Sequence, residues 1–342
     1  MMKIAFDAMG GDYAPDAAIR GAKEALKSYP SVHLAIVGKK DRIIPLLKEN
    51  GIYPHERVEL VNTDDVVLMS DPSTIAIRSK KNSSITVAAT EVKEGRAQAV
   101  VSAGHTGAAV AATTVRMRLL EGVDRPAIAA IMPSESGPFV LIDAGANIDS
   151  KPINLIQFAL MGSIYAEAAL GVKNPRVGLL SVGEEDVKGN ELTKEVFKKL
   201  SKMKINFIGN VEGKVIFQKY ADVVVCDGFV GNVLLKASES LAKATMRWIK
   251  EAFSKNTYRI AGALLAKEAF RELKEIGDYE SYGGAPLLGV NGICIIGHGS
   301  SSPKAFKNAI RVAAEFVNIK LNDKITTMLH ENGASVKDFK LN

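Results

Sequence analysis

The stretch KIAFDAMGGD, Lys3 to Asp12, decides the fold. A short apolar run ends at Asp7 and breaks into Met9-Gly10-Gly11-Asp12, and a helical pattern, Asp16–Lys27, follows. A second apolar run, Val32–Val37, completes the strand–helix–strand unit. The alternation continues outward from there. Further strands are expected at Arg57–Val61, Gln98–Ser102, Ala127–Met132, Phe139–Asp143, Arg176–Val182, Lys204–Ile208, Ala221–Cys226 and Gly292–Ile296. Helices are expected at Ser83–Glu94, Ala108–Leu120, Lys151–Leu170, Leu192–Leu200 and Asn232–Phe253. Several strands are apolar throughout instead of alternating, as parallel strands covered on both faces are. The order predicts an α/β fold with a mostly parallel sheet and helices on both faces.

Composition agrees with that class. The chain has 342 residues, 47% hydrophobic and 24% charged, enough for a sizeable core. Its two cysteines, Cys226 and Cys294, lie inside apolar runs and read as reduced core residues in a reducing compartment. The N-terminus lacks the apolar core of a signal peptide, and no apolar run reaches the length of a membrane span. A formal charge of +6 is mild, and it suits an anionic substrate, an acidic protein or an anionic lipid surface. No nucleic-acid motif is present, and nucleic acid is not an expected partner.

Parallel sheets bind ligands at the carboxyl ends of their strands, so the strand exits carry the functional reading. Gly10 and Gly11 let backbone approach a ligand, and the helix after them favours an anion. The run Arg78-Ser79-Lys80-Lys81-Asn82-Ser83-Ser84 joins cations and a serine cap to a helix start. It reads as a phosphate cradle or as a solvated basic loop. Ser102-Ala103-Gly104-His105-Thr106-Gly107 opens another helix, and its histidine sits between glycines, where it can donate to phosphate or an acyl oxygen. Asp143-Ala144-Gly145-Ala146-Asn147 and Asp227-Gly228-Phe229-Val230-Gly231-Asn232 follow two more strands. Their carboxylates suit either loop bracing or ligand contact. His298-Gly299-Ser300-Ser301 is a second histidine in a polar glycine turn. No order of residues names a covalent nucleophile, and the acidic run Glu184-Glu185-Asp186 does not by itself converge on a metal.

One region departs from the alternation. After the long helix to Phe253 comes a break at SKNTYR, then a stripe through Leu265, Ala269, Leu273 and Ile276, which predicts a helical hairpin. From Lys250 to Lys274 there are six Lys or Arg against three Glu, a net +3. Two readings stand: amphipathic packing within the fold or a dimer, and insertion into an anionic interface.

Taken together, DAMGGD, KKNSS, SAGHTGA, DAGAN, GEEDVKGNE, IGNVEG, VVVCDGFVGNV, YGGAPLLGVNG and HGSS, in this order, resemble the bacterial acyl-acyl-carrier-protein:phosphate acyltransferases of phospholipid synthesis, the PlsX family. The middle motif departs from the family, which more often carries asparagine where this chain has His105. The resemblance implies a single phosphate acyltransferase domain over residues 1–342, a three-layer α/β/α fold akin to phosphotransacetylases and to isocitrate and isopropylmalate dehydrogenases. A long helix and projecting hairpin, 232–276, would lie within it. The implied reaction moves a long-chain acyl group from acyl-acyl-carrier protein to inorganic phosphate, with no cofactor and no metal. The implied protein is a cytoplasmic homodimer associated peripherally with an anionic membrane. Its product would feed a downstream membrane glycerol-3-phosphate acyltransferase.

On this resemblance, phosphate is expected near Gly10, Gly11, Lys81, Ser83, Ser102, Thr106 and Ser300. His105, His298, Lys81 and Asn232 are candidate catalytic groups or donors. Asp7, Asp143, Asn147 and Asp227 are expected to orient the loops. Trp248, Phe253, Leu264, Leu265 and Phe270 are expected at the membrane. Rival readings are a phosphotransacetylase using a short acyl-coenzyme A, a dehydrogenase of related fold, and a scaffold that holds carrier protein.

Overall fold

The computed structural model describes residues 2–68, 70–72, 78–218, 220–276 and 279–339. Among the described residues, eleven strands form one sheet. In chain order they are β1 Met2–Asp7, β2 Val32–Gly38, β3 Val58–Asn62, β4 Ala99–Ala103, β5 Ala127–Met132, β6 Phe139–Ile142, β7 Val177–Ser181, β8 Phe207–Glu212, β9 Val223–Val225, β10 Ala285–Leu288 and β11 Ile293–Gly297. Their order across the sheet is β3-β2-β1-β4-β11-β10-β5-β6-β9-β7-β8. Neighbours run parallel except around β10, which is antiparallel to β11 and β5, and between β5 and β6.

The central strands are apolar on both faces because helices cover both. Ile4 and Phe6 of β1 join a core with Ala18 and Ile19 of α1 (Asp16–Ser28). Ala5, between them, faces the other way into a core with Ala88 and Ala112. Successive side chains of one strand thus feed opposite layers. α2 (Lys40–Glu49) carries Pro45 in its interior, a residue that argues against a helix in sequence, and it had not been expected. Ala88 belongs to α3 (Ser84–Lys93) and Ala112 to α4 (Thr106–Met117). α5 (Pro152–Leu170) is long and apolar enough to cross a membrane, but 72% of its most apolar window is buried in the core. α6 (Glu191–Leu200) follows β7.

Two expectations are corrected in the second half. The strand expected at Lys204–Ile208 lies at Phe207–Glu212. Gly209, one residue past the expected strand, is inside β8 at φ +96°, beside the register shift at Val177/Gly178. Glycine here marks a bulge and not a stop. Ala285–Leu288, which is not among the expected strands, is the strand β10.

The expected hairpin is present. α7 (Gly228–Phe253) begins four residues before Asn232 because Asp227 caps it, accepting from the N–H groups of Phe229 and Val230. The returning arm is two short helices, α8 (Thr257–Leu265) and α9 (Lys267–Ile276). Gly228 and Gly231 are the buried residues of α7, so the helix is anchored at its base and projects beyond it. α10 (Pro303–Asn318) and α11 (Leu321–Glu331) then complete the layer beside α1 and α5.

Candidate active site

Strand β1 has β2 on one side and β4 on the other, so consecutive connections diverge at its carboxyl end. That switch point is where an α/β sheet opens a crevice. A cavity of about 200 Å³ lies there, lined by Asp7, Gly10, Gly11, Ser84, Ser102 and His105, with Val66 and Leu68 above. Three exit loops close on one another around it. A side chain on Gly10 would meet the carbonyl oxygen of Ala103 at 2.0 Å, so the loops after β1 and β4 touch backbone to backbone. The Asp12 N–H donates to the Gly299 carbonyl at 2.7 Å, which ties in the loop after β11.

At the floor, Ser102 Oγ donates to Asp7 Oδ2 at 2.7 Å, and the Met9 N–H donates to Oδ1 at 3.1 Å. Asp7 is buried, and burial raises its carboxyl above the ordinary value despite those bonds and others from Ser84 and the Gly10 N–H. The first turns of α3 and α4 also reach the cavity, through Ser84 and Ile85 and through Ala108 and Ala109. Helix N-termini carry partial positive charge and unsatisfied N–H groups, so two of them in one cavity favour an anion.

His105 lines the cavity with both ring nitrogens engaged. Nδ1 accepts from the Ala108 N–H at 3.3 Å and caps α4, while Nε2 donates to the Asp71 carbonyl at 2.9 Å. In this arrangement Nε2, the ring nitrogen that donates, is turned to the Asp71 carbonyl. Asp71 also takes Lys80 Nζ at 2.5 Å, which holds its carboxyl below the usual range. Lys80 and His105 thus pin the segment that roofs the cavity.

The structure redistributes the expected phosphate contacts. Lys81 is exposed and outside the lining, and Lys80, also outside it, donates to Asp71 and to the Val66 carbonyl. Ser83 is buried with its Oγ 2.9 Å from Thr86 Oγ1, and Ser84 faces the cavity in its place. Thr106 is exposed at the start of α4 and is not among the lining residues. A helix begins one residue later than the first serine, and that offset decides which hydroxyl points inward. Sequence reading also missed Val66 and Leu68, because short apolar runs look the same in a core and over a cavity.

His298 and Ser300 sit beside this cavity in the β11 loop. His298 Nδ1 accepts from the Ser300 N–H at 3.2 Å and lies 2.8 Å from its Oγ, which favours the Nε2–H tautomer. Partial burial lowers its pKa, and Lys236 and Lys243 of α7 lower it further. The ring is therefore a neutral donor near pH 7.

The remaining expected residues form a separate brace at the exits of β6 and β9. Asp143 is fully buried and accepts from the N–H groups of Ile128, Gly145, Ala146 and Asn147. Asn147 Nδ2 donates to Asp143 at 2.9 Å and to the Pro126 carbonyl at 2.7 Å. Asn232 lies against Gly145, and Asp227 caps α7. This cluster fixes where α7 leaves the sheet. Both cysteines are buried, and burial pushes the Cys294 thiol up to about 12 and Cys226 well above its ordinary value, so neither offers a thiolate.

In architecture the chain is similar to a phosphotransacetylase from Streptococcus pyogenes, with a TM-score of 0.63 over 93% of this chain and 94% of that one at 17% identity. It is also similar to a branched-chain phosphotransacylase from Enterococcus faecalis, with a TM-score of 0.55 over 93% and 99% at 18% identity. The fold is that of a phosphotransacetylase-like α/β protein, with a cavity at its switch point. The sequence carries the assignment further. Residues 2–324 match the family described as fatty acid synthesis protein. The chain is 51% identical over 316 residues to the phosphate acyltransferase of Heliobacterium modesticaldum, covering 92% of this chain and 94% of that protein. It is 47% identical over 325 residues to that of Aquifex aeolicus, covering 95% and 96%. The chain belongs to the phosphate acyltransferase family.

Proposed function

We propose that the protein is an acyltransferase that moves a long-chain fatty acyl group from acyl-acyl-carrier protein to inorganic phosphate, releasing acyl phosphate and free carrier protein for phospholipid synthesis. The observation that carries the reading is the cavity at the exits of β1 and β4, where two helix N-termini, the Ser84 and Ser102 hydroxyls and the buried Asp7 converge. Phosphate bound there presents an oxygen to the thioester carbonyl. A C–O bond forms, the carbonyl oxygen gains negative charge, and the C–S bond breaks as the tetrahedral intermediate collapses. The thiolate leaves and takes a proton. Most of the rate enhancement in such a reaction comes from positioning and from donors already aimed at the oxyanion. His298, beside the cavity, is the candidate donor to oxyanion or thiolate, and Asp7 holds Ser102 at the cavity floor.

Ser102→Ala tests the placement. It should raise the phosphate KM roughly tenfold, the scale of one charge-assisted hydrogen bond. An unchanged phosphate KM contradicts it.

The same reading makes the protein a cytoplasmic homodimer that touches an anionic membrane and hands its product to a membrane glycerol-3-phosphate acyltransferase. Exposed apolar residues along the base of α7, Phe229, Val233 and Leu241, support a subunit interface. At the hairpin tip Leu265 is 91% exposed, and Trp248 and Leu264 are also exposed, which supports membrane contact. Phe253 and Phe270 are half-buried against each other, so their part in that contact is indirect.

A further inference from the structure

The cavity at the exits of β1 and β4 has two unlike halves. Asp7, Ser84 and Ser102 make its floor polar, while Val66, Leu68, Ile85 and Ala108 give it an apolar side. Phosphate draws only on the polar half, because an apolar wall offers an anion no hydrogen bond. The apolar half therefore faces the other reactant. At about 200 Å³ the cavity is smaller than the roughly 300–1,000 Å³ that enclose a whole small molecule. It holds the reacting ends and leaves most of a long acyl chain outside.

Sheet order sets the apolar side apart from the candidate donor. The strands run β3-β2-β1-β4-β11, so the segment carrying Val66 and Leu68 enters from the β3 side, and His298 follows β11 on the other side of β1 and β4. The apolar side is also held in place. Lys80 Nζ donates to the Val66 carbonyl at 3.0 Å. The Leu68 N–H donates to Asp71 Oδ2 at 2.8 Å, and the Asp71 N–H donates to the Leu68 carbonyl at 3.0 Å. Ile85 and Ala108, in the first turns of α3 and α4, are buried. A packed wall that cannot shift rejects an extra methyl group instead of making room for it.

We propose that Val66, Leu68 and Ile85 determine specificity: they seat the carbon next to the thioester carbonyl and select acyl groups unbranched at that carbon. The proposal rests on the acyl-transfer reading above and adds the part of the acyl group that the cavity reads. With phosphate on the polar floor, the carbonyl carbon it attacks lies just above it. The carbonyl oxygen and the sulfur take up negative charge as the reaction proceeds and turn toward His298. The hydrocarbon, the third substituent, turns toward Val66, Leu68 and Ile85. A methyl group on its first carbon would overlap that wall, and one near the far end of the chain lies outside the cavity.

Three acyl-carrier-protein thioesters with hexadecanoyl chains test this: one straight, one methylated next to the carbonyl and one methylated near the chain end. Phosphate-dependent thiol release gives kcat/KM for each. The branch next to the carbonyl should lower it roughly tenfold or more, and the distant branch less than about twofold. A thioester branched next to its carbonyl is also intrinsically slower, so the deciding quantity is how the straight-to-branched ratio changes between variants. Leu68 is 57% exposed, and its replacement leaves the core intact. Leu68→Ala should shrink the ratio several-fold, and Leu68→Phe should enlarge it, each with the phosphate KM unchanged within about twofold. A ratio that stays the same in both variants, or an equal loss from the distant branch, overturns the proposal. Release from the straight-chain thioester by the unaltered protein reads the parent function separately. Release with an unaltered ratio rejects the wall alone, and no release rejects the reading beneath it as well.

Discussion

Burial raises the Asp7 carboxyl above its ordinary value of 3.8, against four hydrogen bonds that pull it down. The folded protein therefore holds that proton more tightly than the unfolded chain does. Its contribution to stability is greatest at low pH and falls as pH rises from 3.8 through the raised value. Asp7→Asn removes this term, so melting temperature measured from about pH 4 to 7 should decline less steeply with rising pH than in the unaltered protein. An identical slope contradicts the buried carboxyl's role. Lys80 and Lys81 give a second residue-scale contrast. Lys80 is tied to Asp71, whose carbonyl accepts from His105, whereas Lys81 is exposed. Lys80→Ala should lower kcat/KM by roughly tenfold or more by loosening the roof, and Lys81→Ala should change it less than about twofold, both read from initial rates. In sequence the basic run reads as a cradle or as a solvated loop, and adjacent lysines carry no mark of which one pairs with Asp71. His105 shows the same limit. Its glycine-flanked position singled it out, yet its hydrogen bonds belong to the chain, and only three-dimensional neighbours reveal that.

At the scale of elements, the hairpin gives the sharpest expectation. α8 has no buried residue, and Leu265 is 91% exposed, so Leu265→Glu removes apolar surface without touching the core. Melting temperature should stay within a degree or two, since exposed substitutions usually cost less than about 0.5 kcal/mol. Binding to anionic vesicles, measured by co-sedimentation, should fall several-fold because the tip loses apolar insertion and gains a like charge. Retained vesicle binding contradicts membrane contact at the tip. The hairpin was legible because its apolar stripe and charge break the strand–helix rhythm of the chain. The parallel strands were legible because burial on both faces writes them as continuous apolar runs. β8 and β10 were displaced or missed for a shared reason: Gly209, Gly284 and Pro286 are read locally as breakers, while the sheet uses them within or beside strands held by their neighbours.

Over the whole molecule, one sheet carries two different loop clusters with two different tasks. The exits of β1, β4 and β11 enclose the cavity proposed to hold phosphate, and the exits of β6 and β9 brace the helix α7. Both clusters appeared in the sequence as glycine-rich loops with short polar residues. Their division could not be read there, because the direction of β6 and β9 relative to β1 is fixed by the antiparallel pairs through β10 and β5. The family membership explains why so many loops carry polar residues at once: the reaction must seat phosphate, an acyl thioester and an acidic carrier in one place. The central claim is that phosphate is the acyl acceptor, and one assay reaches it directly. Long-chain acyl-acyl-carrier protein is incubated with the purified protein, with and without phosphate, and free carrier thiol and acyl phosphate are both measured. Thiol release that requires phosphate and is matched by an equal amount of acyl phosphate is the predicted result. Release of thiol without phosphate, or no release while the carrier remains bound, contradicts it.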